Sequence, residues 1–103
     1  GYLEQFPTAG LTGKYTCVED FYLRAREDAY LAGGIENGMI VAGHTPTLSK
    51  DYMMYNGGLV YQHYDPQKNC LYYDIDCGCS YRTVRANARL ACLCAETGAI
   101  YYL

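Results

Sequence analysis

The sequence predicts an α+β domain of the broader α/β class, in which one helix is followed by mostly antiparallel strands. Two observations support this prediction. Apolar residues recur at helical spacing in 16–33, after an irregular lead-in over 1–15. From residue 38 onward, short apolar or tyrosine-rich runs alternate with turns rich in Gly, Pro, Asn and Asp. A chain of 103 residues, half of them hydrophobic, can bury one core, so we expect a single domain or part of one.

The helix is predicted over residues 16–33 because both of its ends carry recognisable signals. Thr16 and Glu19 fit a capping box, and Gly33-Gly34 supplies a left-handed stop. The apolar face consists of Val18, Phe21, Tyr22, Ala25 and Ala29. Arg24 belongs to the solvated face in the simplest interpretation, and a contact with an anionic ligand is the alternative.

The strand-rich half, residues 38–103, is predicted to open with a strand at 38–42. This run is apolar and partly β-branched, so we expect it to be buried on both faces. Further strands are predicted at 52–55, 59–64, 70–75, 90–95 and 99–103. Turns are predicted between them at 56–58, 65–69 and 96–98, where Asn, Asp, Pro and Gly cluster.

A histidine, His44, stands at the carboxyl end of the first predicted strand, where ligands bind in open α/β sheets. Pro46 fixes its own φ and restricts the backbone of Thr45 to an extended conformation, so the turn that holds the imidazole is stiff. A rigidly held imidazole suits a metal ligand. The alternative is a histidine satisfied by one backbone hydrogen bond, and the local pattern leaves both interpretations open.

The cysteines include two C-x-C pairs, Cys77-Gly78-Cys79 and Cys92-Leu93-Cys94. In a strand, this spacing places both sulfurs on one face as small apolar residues. Zinc sites more often use C-x-x-C, and disulfides are disfavoured without a secretory context. We therefore expect reduced core cysteines, with a metal site and disulfides as the alternatives.

Charge and hydropathy argue against two classes of partner. The net charge is −3 and the chain has no cluster of Lys and Arg, which argues against a general nucleic-acid binder. No apolar run approaches the roughly 20 residues that span a bilayer. The first residues also lack the features of a signal peptide, so we expect a cytoplasmic protein without a membrane partner.

Three motifs in the strand-rich half resemble those of a known family. They are GHTPT at 43–47, IDCGC at 75–79 and RLACL at 89–93. In this order and spacing, they resemble the carboxyl-terminal half of the calcineurin-like metallophosphoesterases, and most closely bacterial serine/threonine protein phosphatases and diadenosine tetraphosphatases. The resemblance implies a pair of β-sheets flanked by helices, with two metal ions at the carboxyl ends of the central strands.

The resemblance also implies roles for individual residues. His44 resembles the family's late histidine ligand to one of two divalent ions, which would be Mn, Fe or Zn. Arg24 loosely resembles an arginine that contacts the phosphate. Thr45, Cys77 and Tyr81 would line the pocket. The substrate would be a phosphorylated protein or a nucleotide.

Most of the family's metal-binding motifs are absent from the sequence. It contains no D-x-H, G-D-x-x-D-R or N-H-E, and the other histidine, His63, lies on a predicted strand and is interpreted as structural. Two-metal hydrolysis needs several ligands that hold the ions about 3.5–4 Å apart. We therefore expect part of a phosphatase that is inactive alone and that associates with a missing amino-terminal half or with itself through exposed sheet edges. The alternatives are a non-catalytic phosphatase-like binding module and a small zinc module built on the cysteines.

Overall fold

The computed structural model describes residues 18–25 and 35–103, which form a small α+β domain with its strands in two sheets. The elements are α1 (Val18–Arg24), β1 (Gly38–Ala42), β2 (Tyr61–Asp65), β3 (Cys70–Asp74), β4 (Ala91–Leu93) and β5 (Ile100–Tyr102). A single 3₁₀ turn at Cys79–Tyr81 lies between β3 and β4. None of the helices in these two ranges is long and apolar enough to cross a membrane.

The first sheet is mixed, with the strand order β1-β3-β2. The long connection over 43–60 reverses the chain, so β2 runs opposite to β1. The tight turn at 66–69 reverses it again, and β3 therefore enters the sheet parallel to β1, with Ile40 opposite Tyr72. Among the described strands, β2 pairs antiparallel with β3 and β4 pairs antiparallel with β5, which agrees with the prediction of mostly antiparallel strands. The parallel pair β1–β3 is the exception, because β3 is inserted between β1 and β2.

The second sheet is a hairpin, formed where the sequence predicts strands at 90–95 and 99–103 with a turn at 96–98. β4 and β5 pair antiparallel, with Cys92 opposite Tyr101. Gly98 has φ 75° in the turn, and its N–H donates to the carbonyl of Cys94. A left-handed residue of this kind suits the short connections that join hairpin strands.

The core lies on both faces of β3, the central strand. On one side Tyr72 packs in a cluster with Ile40 and Met54, and on the other Tyr73 packs with Val60. The strand buried on both faces is thus β3. β1 lies at the sheet edge among the described strands and leaves Val41 45% exposed, so the predicted double burial of β1 is wrong.

Two further predictions differ from the structure. The expected strand at 52–55 is a series of turns, in which the N–H of Tyr52 donates to Ser49 and the N–H of Tyr55 donates to Tyr52. These contacts between residues three apart leave no extended backbone for strand pairing. α1 ends at Arg24, and Ala25 after it is not helical, whereas residues 26–33 of the predicted helix lie outside the described residues. The lead-in over 1–15, the capping box residue Thr16 and the Gly-Gly stop lie outside the described residues.

Candidate functional site

His44 lies directly after β1 on an unusual backbone. Its φ is 72°, in the left-handed region that few non-glycine residues adopt. Such a conformation costs free energy and persists where the surrounding structure holds it, most often at functional sites. The residue is exposed, whereas Thr45 and Thr47 beyond it are fully buried. The turn therefore anchors itself through its threonines and presents the imidazole to solvent.

The turn that bears His44 is hydrogen-bonded to the segment that follows β3. The N–H of Ile75 donates to the carbonyl of Ala42 at 2.9 Å, and the N–H of Thr47 donates to that of Asp76 at 2.8 Å. Two of the sequence motifs, at 43–47 and 75–79, consequently lie side by side at the carboxyl ends of two parallel strands. This is the sheet edge at which α/β proteins bind ligands.

A cleft of about 750 Å³ opens beside His44. The segment at 44–55 forms one wall, and the segment at 81–87 forms the other. The charged and aromatic residues that line it are His44, Lys50, Asp51, Tyr52, Tyr55, Tyr81 and Arg85. The cleft thus combines cationic groups with aromatic rings.

The second wall is positioned by Gly78. This glycine has φ 79° and begins the 3₁₀ turn in which the N–H of Tyr81 donates to its carbonyl at 2.8 Å. The N–H of Arg85 then donates to the carbonyl of Tyr81 at 2.9 Å. An added Cβ at Gly78 would overlap the buried side chain of Leu48, so only glycine fits this close approach.

The structure brings together only some of the site residues that the sequence suggests. His44 and Tyr81 both line the cleft. Thr45 and Cys77 do not line it, because both are buried, 0% and 2% exposed, and Cys77 packs in a core cluster with Val60 and Tyr73. Arg24 forms an ion pair with Asp20 four residues earlier on α1 and does not line the cleft.

Three residues of the cleft, Lys50, Tyr55 and Arg85, are not singled out by the sequence. Lys50 and Arg85 lie in segments that the sequence predicts only as connections, and Tyr55 falls in the strand predicted at 52–55. The Lys50 ammonium lies 5.9 Å from the centre of the Tyr55 ring, within the range of a cation–π interaction. No local pattern signals these residues, because the cleft that they line forms only when the segments at 44–55 and 81–87 come together.

Asp74, at the end of β3, is a buried carboxyl group that the sequence does not single out. It is 1% exposed, and one of its oxygens accepts a hydrogen bond from the N–H of Asp76 at 3.0 Å. Its other oxygen has no hydrogen-bond partner among the described residues. Burial raises the pKa of Asp74 to about 7, and the negative charge of Asp76 adds to the effect. Burial also raises the pKa of the Cys77 thiol.

The described residues do not complete a metal centre. Within 18–25 and 35–103, no three His, Cys, Asp or Glu side chains are placed to hold one ion. His44 could therefore supply a single ligand, which does not fit a two-metal site. His63 lies apart, exposed on β2 with its ring centre 5.9 Å from that of Tyr72.

The cysteines of the described segments are all free. Cys77 is buried, as predicted for a core residue, whereas Cys79 lies in the 3₁₀ turn and Cys92 is exposed on β4. The C-x-C pairs therefore do not form two buried pairs on strand faces. In the first pair, Gly78 turns the chain between Cys77 and Cys79. In the second pair, Cys92 lies on the exposed face of the hairpin.

Comparison with known proteins gives no match. No protein-family model matches the sequence, and neither a curated protein nor a solved structure does.

Proposed function

We propose that this chain is the carboxyl-terminal part of a calcineurin-like, metal-dependent phosphoesterase and forms one side of its active site. The observation that supports this proposal most strongly is the placement of His44. It stands on a left-handed turn at the carboxyl end of β1 and opens onto a cleft that contains Lys50 and Arg85. The contact between the 43–47 and 75–79 motifs agrees with the resemblance from which the proposal comes.

The charges of the cleft favour an anionic ligand. Arg85 offers a planar set of donors that can bind two phosphate oxygens at once, and Lys50 adds a second positive charge. Neither has a carboxylate within salt-bridge distance in the described parts of the chain. Asp51 is the one carboxylate among the lining residues, so the cleft is cationic although the whole chain carries a net charge of −3.

In this proposal, His44 is one ligand of one divalent ion, and the remaining ligands come from outside the described residues. The chain alone is therefore expected to be inactive toward phosphate esters. Its partner would be the missing amino-terminal half or a second copy, and its substrate would be a phosphorylated protein or a nucleotide.

A second candidate is a non-catalytic module that binds phosphorylated ligands. The cationic cleft together with a single histidine ligand favours this candidate, because anion binding does not require a metal centre. A zinc module built on the cysteines has no such support, since the described cysteines and histidines form no cluster.

The first prediction concerns Mn²⁺ at His44, because the paramagnetic ion broadens the NMR signals of groups that it contacts. We expect the ring signals of His44 to broaden at lower Mn²⁺ concentration than those of His63, by about tenfold if the site contributes about 1.4 kcal/mol. His63 is the control because it is also an exposed histidine and lies on β2, in the sheet whose strand β1 precedes His44. The spectra are recorded on the wild-type chain, on His44→Ala and on His63→Ala.

Hydrolysis of 4-nitrophenyl phosphate with added Mn²⁺ completes the test. Equal broadening of both histidines contradicts the metal role of His44 and leaves the binding module as the better interpretation. Mn²⁺-dependent hydrolysis that persists in His44→Ala would also contradict it, since the site would then be built from other residues.

A further inference from the structure

The cleft beside His44 presents aromatic rings as well as cations. Tyr55 and Tyr81 are 42% and 47% exposed, and both line the cleft. Exposed aromatic residues that share one concave surface indicate a binding site more strongly than the same residues scattered over the protein. The cations of the cleft explain the attraction of an anion, but they do not explain the two exposed tyrosine rings.

Each wall of the cleft carries one ring and one cation. On the first wall, the Lys50 ammonium lies 5.9 Å from the centre of the Tyr55 ring. On the second, the backbone N–H of Arg85 donates to Tyr81, which places both residues in one turn. A ligand that stacks on either ring consequently has a cation within reach of its own negative group.

We infer that the cleft selects phosphate monoesters whose organic part is a flat aromatic ring. The ring stacks against Tyr55 or Tyr81, while the phosphate lies toward Lys50 and Arg85. A volume of about 750 Å³ accommodates a ring and a phosphate together. An alkyl phosphate such as phosphoserine meets the same cations but has no ring to stack. Hydrolysis of such an ester by this cleft rests on the proposed function. Selective binding of the ester does not, because it requires no metal ion.

Two kinds of compound share this chemistry. In an aryl phosphate such as phosphotyrosine, the ring bears the phosphate directly. In a nucleoside monophosphate, a pentose separates them. Phenyl phosphate and AMP are the probes for these two sources, and ethyl phosphate is the probe without a ring.

The test measures dissociation constants of the three probes for the full chain by NMR titration without metal. Aromatic pairs contribute about 0.5–1.5 kcal/mol beyond buried area, so we expect phenyl phosphate or AMP to bind up to about tenfold more tightly than ethyl phosphate. If AMP binds more tightly than phenyl phosphate, the source is a nucleotide. The reverse order indicates an aryl phosphate.

Matched variants separate the ring from the charge. Tyr55→Leu and Tyr81→Leu each remove one ring, and at least one of them is expected to weaken phenyl phosphate binding up to about tenfold. Tyr81→Leu is expected to leave ethyl phosphate unchanged, because the hydrogen bond from the N–H of Arg85 to the backbone carbonyl of Tyr81 remains. Arg85→Met is expected to weaken the binding of both phosphates. The controls Tyr101→Leu and Arg82→Met replace exposed residues that do not line the cleft and are expected to change neither.

Equal affinity of the wild-type chain for ethyl phosphate and for both ring probes would overturn the inference. So would a result in which neither Tyr55→Leu nor Tyr81→Leu weakens phenyl phosphate more than ethyl phosphate. Either result leaves the Mn²⁺ experiment at His44 unaffected. Failure of the Mn²⁺ experiment, in turn, leaves the ring selectivity measurable, so the two proposals fail separately.

Discussion

His44 and Asp74 lie at the ends of adjacent parallel strands, and their environments are opposite. His44 is exposed on a left-handed backbone, whereas Asp74 is almost fully buried with one unpartnered oxygen among the described residues. A buried carboxyl group that keeps its charge is costly, and a protonated one is much less so. The ends of the two strands therefore hold one group suited to a ligand and one that favours its neutral form.

We predict that Asp74 makes the folding stability of the chain depend on pH. Burial raises the pKa of Asp74 to about 7 in the folded chain, above the ordinary value of 3.8. The folded state then binds the proton more tightly than the unfolded state, so the contribution of Asp74 to stability is full below about pH 4 and is lost as the pH rises through about 7. Asp74→Asn, which cannot ionise, is expected to raise the free energy of unfolding by about 1–3 kcal/mol at pH 8 and little at pH 4.

Urea unfolding of the wild-type chain and Asp74→Asn between pH 4 and 8 measures this difference. Asp51→Asn is the control because Asp51 is exposed, and its effect should be small across the range. A constant difference between wild type and Asp74→Asn from pH 4 to 8 would show that Asp74 does not titrate there.

The sequence predicts some of these residues and misses others for a physical reason. The position of His44 after a strand is predicted because a Gly-His-Thr-Pro turn that follows an apolar run is visible in the sequence itself. Asp74 is not found because a carboxylate at the end of a strand ordinarily faces water. Its burial results from the insertion of β3 between β1 and β2. The exposure of His44 and the burial of Asp74 are therefore set by the tertiary structure and not by local sequence.

At the level of elements, turn chemistry is the most reliable guide. The turns at 56–58, 65–69 and 96–98 all form, and Asp65 accepts hydrogen bonds from the N–H groups of Gln67 and Lys68. The strand predicted at 52–55 fails because its tyrosines suit a strand and a cleft wall equally well. The parallel pairing of β1 and β3 is also not predicted, since hydrophobic patterns do not encode which strand is central.

We predict that replacing Gly78 with alanine destabilises the 3₁₀ turn that bears Tyr81, because this turn begins at Gly78. Gly78→Ala combines a left-handed backbone with overlap between the new Cβ and Leu48. The backbone costs about 1–2 kcal/mol and overpacking costs about 1–3 kcal/mol, so we expect a loss of about 2–5 kcal/mol in the free energy of unfolding. Urea unfolding measures this loss, and the NMR signals of Tyr81 and Arg85 should shift as well.

Gly57→Ala is the matched control for the packing component. Gly57 has φ 65°, but nothing lies within 4 Å of the position that an alanine Cβ would occupy, so only the backbone cost of about 1–2 kcal/mol applies. Equal losses in the two variants would show that contact with Leu48 does not restrict the turn.

At the level of the whole molecule, the described strands leave sheet edges unpaired. β1 has a neighbour only on the side of β3, and β2 likewise has one neighbour among the described strands. β1 is apolar along its length and leaves Val41 45% exposed. An apolar edge strand without charges is a template for pairing with another chain.

We therefore predict that the isolated chain self-associates with rising concentration and that a charge on β1 reduces this association. Val41→Lys places a lysine on the edge strand, where natural sheets use that residue to prevent pairing. Sedimentation velocity over a concentration series should show the wild-type chain shifting toward larger species and Val41→Lys remaining closer to the monomer. Val84→Lys is the control, because Val84 is 75% exposed but lies in a connecting segment away from the strands. If both lysine variants reduce association equally, general charge rather than the edge of β1 controls it. A wild-type chain that stays monomeric throughout would show that this edge is protected in solution.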